Sequence, residues 1–111
     1  MTTVRPATPA DFIAYCGELV ETHALEHDGR LLAISVIMRQ SGRLWATLDV
    51  RPGVNALVLV RAIRAARSRL GEPIYVECQS HAYETAERLL RIIGFVPTQE
   101  RRKGMGVWVY G

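Results

Sequence analysis

Little in this sequence points outside an ordinary folded domain. Its longest apolar stretch, Ala56 to Val60, falls far short of the roughly 20 residues that cross a bilayer, so no membrane-spanning segment is expected. The opening Met1-Thr2-Thr3-Val4-Arg5-Pro6 has no apolar core of signal-peptide length, and secretion is not indicated. Cysteine is scarce: Cys16 and Cys78 are isolated thiols without metal or redox spacing, read as buried, reduced packing residues that suit an intracellular or intravirion setting. No long polar tract, single-charge run or internal repeat interrupts the aliphatic residues, which argues against disorder. The net charge of +3 is too small to call for a nucleic-acid partner.

What is present suits one domain over residues 1–111: 49% of the residues are hydrophobic, enough for a core. Thr2 to Arg5 reads as a short strand. Thr8-Pro9-Ala10-Asp11 then combines a helix cap, proline at the first helical position and an acid at the third. Phe12, Tyr15, Cys16, Leu19 and Val20 follow at three- and four-residue spacing, which predicts a helix with that face toward the core. His23 to Glu26 reads as a brief strand and His27-Asp28-Gly29 as a hairpin turn. Strands are expected over Leu31 to Met38 and Leu44 to Val50, with the chain turning at Gln40-Ser41-Gly42.

Pro52-Gly53 breaks the pattern, and Asn55 to Leu70 has helical composition ending at Gly71. Pro73 to Gln79 reads as a strand, Ala82 to Ile93 as an amphipathic helix stopped by Gly94, and Phe95–Glu100 with Met105–Tyr110 as a closing hairpin. This order predicts an α/β (α+β) sandwich on a mixed, mostly antiparallel sheet with about three helices. The helix between Val50 and Pro73 is long enough for a right-handed crossover, so its flanking strands should be parallel.

Three stretches together resemble the GNAT N-acetyltransferase superfamily: Val4-Arg5-Pro6-Ala7-Thr8-Pro9-Ala10-Asp11, the junction Leu48-Asp49-Val50-Arg51-Pro52, and Ala86 to Phe95 ending Ile93-Gly94-Phe95. The resemblance implies an acetyl-CoA site at the helix after that junction, where a Gln or Arg and alternating glycines let backbone N–H groups approach the pyrophosphate. Residues Val50, Asn55, Ala56, Leu57, Val58, Leu59 and Val60 would form it if acetyl-CoA binds. Here Asn55 takes the Gln/Arg position, and Val58 and Val60 stand where glycine is expected, so two β-branched side chains are expected to crowd the phosphate space. The resemblance also implies a proton-donating Tyr on the last helix. Leu90 holds that position, and leucine transfers no proton.

The remaining candidates for chemistry are Asp49 and Glu77, carboxylates placed to accept an amine proton, and Tyr83 as a relocated acid about two helical turns from Leu90. His23 and His27 have the four-residue separation that can present two imidazoles on one helical face, but no Glu follows His23 as a zinc protease needs, His81 is remote with no partner Cys, and no metal is expected. Arg61, Arg64, Arg67 and Arg69 predict a basic ridge, and Arg101-Arg102-Lys103 a basic hairpin tip without aromatic interleaving.

The chain also resembles the small GNAT-like proteins of short-tailed, T7-like bacteriophages, including their internal virion protein, through Val4-Arg5-Pro6, Asp11-Phe12, Leu32-Ala33-Ile34, Trp45 and Leu89 to Gly94. That resemblance implies a degenerate site without cofactor, a structural or assembly role through a protein partner or self-association, and a location in host cytoplasm or virion. The alternative is an active acetyl-CoA-dependent N-acetyltransferase acting on a small amine or a protein amine. An open cleft between the parallel strands would favour it, and a cleft plugged by Val58, Val60 and Leu90 would oppose it.

Overall fold

A computed structural model describes residues 2–78 and 84–111. In chain order the elements are α1 (Pro9–Cys16), β1 (Glu18–His27), β2 (Arg30–Gln40), β3 (Arg43–Val50), α2 (Ala56–Leu70), β4 (Ile74–Cys78), α3 (Glu84–Ile93), β5 (Val96–Arg102) and β6 (Met105–Tyr110). The six strands form one sheet in the order β1-β2-β3-β4-β6-β5. Among the described residues only β3 and β4 run parallel, and α2 makes the crossover between them. The fold class is the one the sequence predicts.

Three hairpins rest on two-residue turns with both residues at positive φ: Asp28-Gly29, Ser41-Gly42 and Lys103-Gly104. This is the geometry whose twist matches that of paired strands. The turns set the register, and register sets which side chains share a face. Ala33 and Ile37 of β2, Leu44 and Ala46 of β3, Ile74, Val76 and Cys78 of β4 and Trp108 of β6 all turn to one side. On that side they join Leu59, Val60, Ile63 and Ala66 of α2 and Ile93 of α3 in the buried core. Both long helices therefore cover the same face of the sheet.

α2 begins at Asn55, whose side chain accepts from the N–H of Leu57, and ends at Gly71 in the left-handed conformation. α3 ends at Gly94, where the N–H groups of Gly94 and Phe95 both donate to the carbonyl of Leu90. Gly94 has φ 121°, and a Cβ there would lie 2.7 Å from the Tyr110 ring.

The N-terminal region departs from expectation. Thr2 to Arg5 forms no strand; a strand needs a partner, and none of the sheet strands takes this segment. The Thr8 cap is as predicted, with Asp11 returning a bond to the Thr8 N–H. The helix, however, stops at Cys16. At Gly17 (φ 97°) an added Cβ would lie 2.8 Å from the Arg39 carbonyl oxygen, so the chain passes directly onto the sheet and Leu19 and Val20 belong to β1. The face expected to pack inward does not: no residue of α1 is buried. The brief strand expected at His23 is ten residues long.

β1 is tied to α2 by Glu21, whose carboxylate accepts from Arg69 Nε at 3.0 Å and Nη2 at 2.6 Å. The Arg69 guanidinium, followed by His23, lowers the Glu21 carboxyl from 4.5 to about 2.

Two outcomes are expected. Gly94→Ala forces both the φ and the Tyr110 contact and lowers the unfolding free energy by roughly 1–3 kcal/mol, measured by urea denaturation. Because the folded-state pKa of Glu21 lies below its unfolded value, its contribution is fully present above pH 4.5 and is lost as pH falls toward about 2. Glu21→Gln should flatten the stability profile in that window.

Candidate functional site

β3 and β4 pair at only two registers, Leu44 with Ile74 and Trp45 with Tyr75. Beyond them the strands part and leave a cleft of about 620 Å³, with Ala46 to Leu48 on one wall, Val76 to Cys78 on the other, and Leu89 and Leu90 of α3 between. The main chain of β3 is available there. Arg51 N–H donates to Leu32 O, so residues of that parity turn toward β2, and alternate residues, Leu48 and Val50, turn their N–H and C=O toward the gap. This unpaired edge depends on strand geometry and needs no particular side chain.

The residues at the helix terminus do not fit a pyrophosphate. Asn55 occupies two of the first donors of α2: Leu57 N–H at 2.9 Å through its side chain and Val58 N–H at 3.1 Å through its carbonyl. An anion would have to displace the helix's own cap. Val60 is in the hydrophobic core at 6% exposure, and Val58 lies against a separate cavity between α2 and β1–β2. The two valines therefore do not crowd the cleft as expected, because the helix turns Val60 inward and Val58 away. Of the three side chains expected to plug it, Leu90 alone lines it, and the cleft is open.

Among the candidate bases, Glu77 lines the cleft and lies 3.2 Å from Arg102 Nε. Arg102 also bonds the Gln40 side-chain oxygen and stacks 4.3 Å from the centre of the Trp45 ring. A carboxylate held this way accepts from a guanidinium before it can accept from a substrate. Asp49 is exposed, pairs with Ile34 on the opposite sheet face and does not line the cleft. Tyr83 and His81 lie outside the described residues.

Cys78 lines the cleft, and burial, with a smaller contribution from the Glu87 charge, pushes its thiol up. It is a poor nucleophile at neutral pH. His23 and His27 sit on β1, where four residues span about 13 Å, so they share no helical face. They bond Glu21 and Asp28.

The basic features are partly spent on the protein itself. Of the expected ridge, Arg61 and Arg64 are exposed, while Arg69 is bound to Glu21 and Arg67 donates to Gly111 O. The hairpin tip also differs from expectation, because the sheet brings aromatic rings to it. Arg102 covers Trp45, Trp45 packs against Tyr75 at 5.5 Å, and Arg43 covers Tyr75 at 4.5 Å while pairing with Glu100. The signal for this ladder was the alternation Arg43-Leu44-Trp45 beside Tyr75-Val76-Glu77, two strands with one shared face.

No protein-family model matches the chain, and neither does any curated protein sequence. Solved structures do resemble it. An acyl-CoA N-acyltransferase from Pseudomonas aeruginosa superposes with a TM-score of 0.54 at 22% identity, over 81% of this chain and 67% of that one. The fold is GNAT-like. Escherichia coli ElaA superposes with a TM-score of 0.50 at 14% identity, and the chain spans 62% of its length. At these identities the likeness to GNAT acyltransferases is one of fold.

A double-mutant cycle over Arg102→Ala and Trp45→Leu is expected to return a coupling of roughly 0.5–1 kcal/mol, read from urea unfolding.

Proposed function

We propose that this chain is a non-catalytic GNAT-like domain that serves as a structural or assembly protein. The observation that carries this reading is the α2 terminus, where Asn55 caps Leu57 and Val58 in the place a pyrophosphate would need. Leu90 supports it, since the cleft wall at that position offers no transferable proton. So does Glu77, whose carboxylate is bound by Arg102. The resemblance to small proteins of short-tailed phages adds the setting: a virion component, made in the host cytoplasm, working through protein contacts rather than turnover.

One observation favours the second reading, an acetyl-CoA-dependent N-acetyltransferase acting on a small or protein amine. The cleft between β3 and β4 is open, and the free edge of β3 faces it.

Thermal unfolding with acetyl-CoA separates the two. A ligand at a hundred times its Kd stabilises by about 2.7 kcal/mol, which raises the Tm of a domain this size by roughly 10–20 °C. The non-catalytic reading expects no shift at 1 mM acetyl-CoA and no acetylation of generic amines. A shift of several degrees together with amine-dependent release of free thiol would establish the enzyme instead.

A further inference from the structure

An ion pair, more than packing, joins α2 to β1. Glu21 and Arg69 bridge them at one end, while β1 contributes no fully buried residue beneath the helix. Between the two elements lies an aliphatic cavity of about 270 Å³. Leu25 of β1, Ala33 and Ile37 of β2, and Leu59, Ile63 and Ala66 of α2 line it. Of its described lining residues, Leu48 alone also lines the β3–β4 cleft. Native interiors leave few voids larger than a water molecule, whereas an apolar cavity of roughly 150 Å³ takes up benzene. The space under α2 has room for a body nearly twice that size, close to the roughly 300 Å³ at which small-molecule sites begin.

The polar groups of the cavity gather at the end nearest the ion pair. The register sets His23 opposite Ser35, and both line the cavity together with Arg69. The Arg69 guanidinium keeps the Glu21 carboxyl ionised at neutral pH, so its oxygens only accept, and His23 Nε2, 2.7 Å from Oε2, must donate. In the neutral ring this leaves Nδ1 as an acceptor. The described side-chain hydrogen bonds leave both Nδ1 and the Ser35 hydroxyl unengaged. Arg69 brings no uncompensated charge, because Glu21 accepts from its Nε and Nη2. A carboxylate entering here would face Glu21 as well as Arg69, and an ammonium would face Arg69 as well as Glu21. A neutral hydroxyl avoids both conflicts: its O–H has an acceptor in Nδ1, and its oxygen has a donor in Ser35.

We propose that this cavity binds a neutral alcohol of about eight to ten carbons, with its apolar body among the aliphatic side chains and its hydroxyl between His23 and Ser35. The aliphatic walls supply the affinity, and the pair of unengaged polar groups at one end supplies the orientation. The site goes beyond the reading of the β3–β4 cleft and does not depend on whether acetyl-CoA binds there.

Titration of the full chain with 1-octanol, followed by methyl and amide NMR, tests it. Saturable shifts are expected at Leu25, Ile37, Leu59 and Ile63, with a Kd of about 1 mM or tighter. Octanoate and octylamine should bind about tenfold more weakly or worse. Ala62→Phe carries a ring into the cavity from the exposed flank of α2 and should weaken octanol about tenfold or more. Ser35→Ala keeps the walls and removes the hydroxyl; it should weaken octanol by about three- to tenfold and leave the affinity for toluene, which has no hydroxyl, unchanged. If Ala62→Phe fails to fold, the comparison of octanol with toluene in Ser35→Ala still decides. Shifts that stay linear up to the solubility limit of octanol overturn the proposal, as do equal affinities for octanol and octanoate, or octanol binding that Ser35→Ala leaves intact.

Discussion

The structure depends on a parallel pairing that lasts for two residue pairs, Leu44 with Ile74 and Trp45 with Tyr75. Leu44 and Ile74 are fully buried, so this short contact is anchored in the core. Beyond it β3 leads into α2, and β4 parts from β3. The strands cannot stay paired while the cleft between them remains open. One geometric fact thereby closes the core on one side of the sheet and leaves main-chain groups exposed at the other end.

Side chains in and beside the cleft are engaged with the protein's own groups. Asn55 caps the first turn of α2, and Arg102 pairs with the Glu77 carboxylate. Arg102 also lies over Trp45 and reaches Gln40, which ties the β5–β6 hairpin to the far side of the sheet. A ladder of cations over rings is a stabilising use of these side chains.

Local signals were read well where the chemistry is local. The turns at Asp28-Gly29 and Ser41-Gly42, the cap at Thr8 and the stop at Gly71 each depend on a few adjacent residues whose backbone preferences are strong. The first helix was misread because Phe12, Tyr15, Cys16, Leu19 and Val20 fit a helical stripe up to the residue where Gly17 ends it. Its contact with the Arg39 carbonyl, 22 residues away, is invisible in a window. The strand expected at Thr2 to Arg5 failed for a related reason, since strand-forming composition does not provide a partner.

The sequence by itself determined the order and type of most elements and the parallel crossover, because these follow from periodicity, capping and turn chemistry. Only the tertiary structure decided that Val60 enters the core rather than the cleft, that Glu77 meets Arg102, and that both long helices lie on one face. Each of those outcomes depends on which way a side chain points after strands distant in sequence have found their register, and register is a property of the whole sheet.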